Sequence, residues 1–177
     1  MKRFAVVCLL LLLAAIASPA IRNPPSKEDV NLLVNPTMTE RDGERVRGWG
    51  FSSGDEKMCS PVQDGGRTVI RYNAPGRYAT AQQSLRLKPN HLYRLEAQVK
   101  GDAAIYLRAR TAPKVGEQTL AYDVTVKPSA EYRPYCVFFP TGPTGEALIL
   151  LGATEQSGRG TAFIADLRVI EDVMVDA

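Results

Sequence analysis

Histidine is almost missing from this chain: His91 is the only one in 177 residues, and it falls in the turn segment KPNHLY. A Ser-His-Asp or Cys-His catalytic site would have to use it, and a histidine in a hairpin turn is more often an exposed polar residue. One histidine and three cysteines also exclude a His/Cys metal cluster without several added carboxylates. Paired carboxylates of the glycosidase kind are not selected by any local motif. The chain therefore reads as non-enzymatic. Tryptophan is single as well, at Trp49. After Ala20 no apolar run approaches the length of a membrane span, so no membrane insertion is expected beyond that point. No segment keeps a helical period over three turns, and there is no repeat, coiled coil or second domain. Charge of one sign is missing too. Lys and Arg number 22 against 19 acids. Without Lys2 and Arg3 the balance is 20 to 19, or about +1. Such a chain has no basic field for nucleic acid or an anionic membrane.

The first twenty residues carry a pattern of their own. Lys2 and Arg3 precede an unbroken apolar run from Phe4 to Ile16, and Ser18-Pro19-Ala20 offers small residues at the −3 and −1 positions. That is a secretory signal peptide over 1–20, cut after Ala20, and it implies an extracellular or periplasmic protein. Residues 21–29 are polar and proline-rich and read as a flexible leader. Two cysteines follow the signal, Cys59 and Cys136. In an oxidising compartment they are candidates for a single disulfide; the alternative is two buried free thiols.

From residue 30 to 173 the chain is punctuated by turns. DGG at 64–66, NAPG at 73–76, KPN at 88–90, KPS at 127–129, TGPTG at 141–145 and SGRG at 157–160 separate about ten short strand-like runs. This pattern predicts an all-β protein, a single β-sandwich or jelly roll of about ten antiparallel strands. The runs are NLLVNPTM, VRGWGFS, TVIRYNA, YATAQQSLRLKP, LYRLEAQVKG, AIYLRARTA, LAYDVTVKP, YRPYCVFFP, EALILLGAT and TAFIADLRVIE.

Alternation assigns faces. Tyr93, Leu95, Ala97 and Val99 point inward, as do Ile105, Leu107 and Ala109. Tyr135, Val137 and Phe139 do the same, with Cys136 and Phe138 outward. In the last run Phe163, Ala165, Leu167 and Val169 share the inner face. ALILL is apolar on both parities, so Leu148 and Leu150 would form an outward strip, either covered or available to a ligand or protein partner. One of Gln82 and Gln83 must face inward and be hydrogen-bonded there.

These pieces, in this order, resemble a known family. NLLVNP (31–36), RGWGF (47–51), QQSLRLKPNHLYRLEAQVKG (82–101), YRPYCVFF (132–139) and FIADLRV (163–169) are similar to successive motifs of secreted carbohydrate-binding modules attached to xylanases and cellulases. Those modules belong to the galactose-binding-like jelly rolls. The resemblance spans about residues 30 to 171 and implies non-catalytic binding of a glycan or cell-wall polysaccharide. It also implies a core position for Trp49. Many relatives hold a structural calcium with two acids, where this chain has Thr39 and Ala165. The departures weigh against that ion here. A retained calcium would rest on loop carbonyls with Glu40 or Asp166, because calcium needs several oxygen ligands.

A sugar site needs apolar surface for the C–H face of the ring and planar polar groups for the hydroxyls. The outward row Tyr106, Arg108 and Arg110 combines both. The resemblance puts this strand in the glycan-binding sheet, beside Glu146, Leu148 and Leu150. Tyr106, Arg108, Arg110 and Glu146 are the candidate ligand-binding residues, and no catalytic or metal-binding residue is assigned. The alternative function is a structural or protein-interaction domain of the cell envelope that uses the Leu148/Leu150 face.

Overall fold

The computed structural model describes residues 30–52, 56–112 and 119–172. The signal peptide (1–20), the leader (21–29) and residue 173 of the expected domain lie outside these. Twelve strands follow in chain order: β1 (Arg41–Asp42), β2 (Arg45–Val46), β3 (Gly50–Phe51), β4 (Cys59–Asp64), β5 (Arg67–Pro75) and β6 (Ala79–Arg86), then β7 (Leu92–Gly101), β8 (Ile105–Thr111), β9 (Leu120–Val126), β10 (Ser129–Pro140), β11 (Glu146–Ala153) and β12 (Arg159–Glu171). Ten of them form two five-stranded antiparallel sheets, ordered β10-β7-β12-β5-β4 and β3-β6-β11-β8-β9. The sheets pack face to face as a β-sandwich, and β1 pairs with β2 in a separate small hairpin.

The core follows the alternation of the longer strands. Leu95, Val99, Ile105, Leu107, Ile149 and Leu151 are fully buried between the sheets. Tyr93 stacks on Phe139 with ring centroids 5.9 Å apart, and its hydroxyl accepts the Lys88 amide at 3.0 Å. Trp49 is a core residue, as the resemblance implies, and its indole N–H donates to the Asn35 carbonyl at 3.0 Å. Gln83 is the inward glutamine. Its amide closes both ends on Val34, accepting from the backbone N–H and donating to the carbonyl at 2.8 Å each. A buried amide without those partners would be costly.

Four sequence expectations are corrected. NLLVNPTM is not a strand. Asn31 fastens this segment to β12, accepting from Val169 N and Leu33 N and donating to Leu167 O. Asn35 and Met38 then turn the backbone through positive φ. Conversely, β4 has no apolar alternation to announce it. It is an edge strand, where Pro61 is tolerated because no neighbour needs its N–H.

The third correction concerns β12. Its ladder to β7 shifts register between Ala165 and Arg168, and Asp166 sits at φ 52°. This bulge inserts one unpaired residue and reverses the parity. Ala162 and Ile164 enter the core before it, and Leu167 and Val169 after it. Phe163 and Ala165 are therefore not inward. Phe163 pairs with Lys100, whose ammonium lies 5.5 Å from the ring centroid. Ala165 is buried on the outer side of the sheet, opposite Gln98.

The expected disulfide is also absent. Cys59 and Cys136 are both free thiols. They stand on β4 and β10, opposite edges of one sheet. Cys59 is buried in the core, while Cys136 is exposed. Bridging needs Cα atoms within about 7 Å and converging Cβ vectors, which opposite faces do not provide.

Candidate functional site

The outer face of the β3-β6-β11-β8-β9 sheet carries all four candidate residues. Their strands pair so that outward side chains form rows across the sheet. Leu148 on β11 lies between Ser84 on β6 and Arg110 on β8. Leu150 lies between Gln82 and Arg108, and Gly152 between Thr80 and Tyr106. Glu146 stands directly opposite Arg86.

Tyr106 points outward but is only 5% exposed. The cause is Gly152. A Cβ there would fall 2.3 Å from Tyr106 Cζ, so the ring occupies the space that glycine leaves. The Arg108 guanidinium covers the ring at 4.5 Å and is itself held by Asp123 on β9. Burial, then the neighbouring Tyr78 phenol, hold the Tyr106 hydroxyl well above the usual phenol range. Tyr106 is thus a wall beneath Arg108, and the exposed aromatic at this end is Tyr78.

Leu150 does not form an exposed strip. It is 3% exposed between Gln82 and Arg108, whose long side chains flank it. Leu148 is half-buried. The outward leucines thus act as a floor beneath polar side chains.

At that floor lies a groove of about 610 Å³, whose lining includes Ser84, Arg86, Arg110, Glu146 and Leu148 together with Ala112 and Thr119. Arg110 and Glu146 are two of the four candidates; Arg108 and Tyr106 sit further along the same face. Ser84, Arg86 and Gln82 were missed from sequence. The other parity of TAQQSLR, namely Thr80, Gln82, Ser84 and Arg86, is the signal that points to them.

The opposite sheet holds a different cluster. Tyr132 on β10 donates to Asp64 on β4 at 2.6 Å, and Lys100 Nζ is 2.7 Å from the same carboxylate. Arg67 covers the Tyr132 ring at 4.3 Å and pairs with Asp166 at 2.8 Å. Lys100, then Tyr132, hold the Asp64 carboxyl below its ordinary 3.8. Burial, then Asp64, push the Tyr132 phenol up to about 12.

His91 Nδ1 lies 2.7 Å from the Pro89 carbonyl, and its other nitrogen faces Glu171 at 3.8 Å. The calcium position of the resembled family does not fit the ion. Thr39 is bonded to Thr37, Glu40 is paired with Arg47 and Asp166 with Arg67. No three His, Cys, Asp or Glu side chains gather at one point among the described residues.

No family profile matches the chain, and no curated protein matches it in sequence. Solved structures do match in shape. The CBM22-1 xylan-binding domain of Paenibacillus barcinonensis Xyn10C superposes with a TM-score of 0.61 at 11% identity, over 83% of this chain and 97% of that domain. TmCBM61, solved with β-1,4-galactotriose, gives 0.57 at 18% identity, over 81% of this chain and 99% of that module. The enzymatically active domain of bacteriophage CBA120 tailspike protein 4 gives 0.58 at 15% identity. There the match spans 80% of this chain but only 21% of the tailspike chain. Two of these solved chains are carbohydrate-binding modules matched over nearly their whole length, and the third is matched over only a small part. The fold of this protein is the β-sandwich of carbohydrate-binding modules.

Proposed function

We propose that this chain is a secreted, non-catalytic module that binds an extracellular or cell-wall glycan on the outer face of the β6-β11-β8 sheet. The groove carries the reading. An apolar floor at Leu148 is flanked by Arg110, Arg86, Glu146 and Ser84, which is the pairing of apolar surface and directional polar groups that a sugar ring requires. The carbohydrate-binding neighbours add support at the level of the fold. Secretion rests on the signal-like first twenty residues.

Arg110 and Glu146 bind sugar hydroxyls in this reading, Leu148 meets the C–H face, and Tyr106 keeps Arg108 in place. The direct test is affinity electrophoresis of the protein through gels containing plant and bacterial polysaccharides, with and without chelator. Retardation by at least one polymer is expected, unchanged by chelator. Glu146→Ala should weaken it by about 1.5–3 kcal/mol, the worth of a hydrogen bond to a charged group. Free migration through every polymer would remove the assignment.

A further inference from the structure

We infer that the groove is selective for acidic sugars and takes a carboxylate-bearing, uronate-type residue. This rests on the glycan-binding reading above and names the ligand class for the same site. The observation is the state of three charged side chains. Arg86, Arg110 and Glu146 are all exposed and line one groove. Arg86 and Glu146 are direct cross-strand partners in the ladder. Yet none of the three makes a side-chain hydrogen bond or ion pair among the described residues.

Elsewhere several charges are paired, although others among the described residues, such as Arg71 and Arg77, are not. Arg108 holds Asp123, Arg67 holds Asp166, Arg47 holds Glu40 and Arg168 holds Glu96. Opposite charges facing each other across strands ordinarily attract. Here two guanidinium groups and one carboxylate are left with open hydrogen-bonding capacity, and the positive charge is in excess.

The geometry suits one acidic sugar unit and its neighbour. Ser84, Leu148 and Arg110 are adjacent across three strands, and Arg86 lies two residues beyond Ser84. Strand spacing and rise place the two arginine Cα atoms about 12 Å apart. Their long side chains can therefore converge on a ligand lying over Leu148. A guanidinium binds a carboxylate through two parallel N–H···O bonds, a geometry that a hydroxyl cannot match. Glu146 then accepts from ring hydroxyls and disfavours a second carboxylate beside it. A neutral sugar would satisfy Glu146 and leave both arginines without their best partner.

The test compares the protein's binding to oligogalacturonate and oligoglucuronate with binding to the same oligomers after carboxyl reduction to primary alcohols. Dextran sulfate serves as a polyanion without carboxylates. At least one uronate oligomer should bind ten-fold or more tighter than its reduced form. Arg110→Gln or Arg86→Gln should shrink that ratio towards one. Arg71→Gln, on the opposite sheet, should leave it intact. Equal binding of the acidic and reduced forms would overturn the acidic preference and leave glycan binding standing. So would dextran sulfate binding as well as the uronates, or Arg71→Gln removing the preference. Binding to no glycan of any kind would overturn the underlying reading as well.

Discussion

Tyr106 and Gly152 show how one missing methyl group shapes the face. On any other residue the β11 Cβ would collide with the ring at 2.3 Å from Cζ and 2.4 Å from the hydroxyl oxygen. The ring, near the start of β8, has nowhere to retreat, because the Arg108 guanidinium sits over it. Gly152→Ala is therefore an overpacking change. It should cost about 1–3 kcal/mol, read as a lower urea midpoint with unchanged slope. It should also loosen Arg108, so binding by the groove residues next to it should weaken in the same variant. The asparagines of the opening segment matter in another way. Asn31 carries no apolar surface, yet its amide ties residues 31–33 to Leu167 and Val169, more than 130 positions away.

At the scale of the element, the bulge in β12 decides which side chains seal the sandwich. Asp166 takes a left-handed conformation and absorbs one residue, so that Ile164 and Leu167 both reach the core. Deleting Asp166 would remove the extra residue, so that Ala162, Ile164, Leu167 and Val169 fall in phase on the inner face with no bulge. Keeping Asp166 in an unbulged strand would instead expose Leu167 and Val169, at about 1.5–3 kcal/mol each, a large share of the roughly 5–15 kcal/mol that holds a domain together. The deletion should therefore keep the cooperative unfolding transition. Asp166→Gly is the contrasting variant. Glycine adopts positive φ freely, so only the exposed pair with Arg67 is lost, at about 0–1 kcal/mol. A deletion variant that loses cooperative unfolding where Asp166→Gly keeps it would show that the bulge does more than absorb the extra residue.

At the scale of the whole molecule, one sheet must curl. Its edge strands, β10 and β4, are four strand spacings apart, about 19 Å if flat. Tyr132 and Asp64 nonetheless meet at 2.6 Å, with Lys100 from the strand beside β10 on the same carboxylate. The β4-β5 hairpin tip is thereby folded over the outer side of the sheet. Val69 and Ala165 point to that side and are still buried. The contact has a pH signature. The folded Asp64 carboxyl is depressed below 3.8 by Lys100 and Tyr132. Its contribution is present above the unfolded value and is lost as pH falls through the folded one. The melting temperature of the wild type should therefore fall more steeply below about pH 4 than that of Asp64→Asn. Parallel pH profiles for the two proteins would show that the clasp contributes nothing.

The all-β sandwich, its inward residues in β7, β8 and β10, and the row that contains Arg108 and Arg110 were legible in the sequence. Each depends on period-two alternation between turns, and that is a local property of a few neighbouring residues. The core position of Trp49 followed from the family resemblance, and an inward glutamine from alternation and polarity. The sandwich fixed the rest through partners distant in sequence. The bulge at Asp166 depends on how β12 meets β7. The edge role of β4 depends on which strand lies beside it. The separation of Cys59 from Cys136 depends on sheet order. The groove is a similar case. Arg86 and Glu146 lie sixty residues apart, and only the pairing of β6 with β11 sets them face to face over Leu148. Alternation sets which way a side chain points, whereas the register between distant strands sets what it meets there.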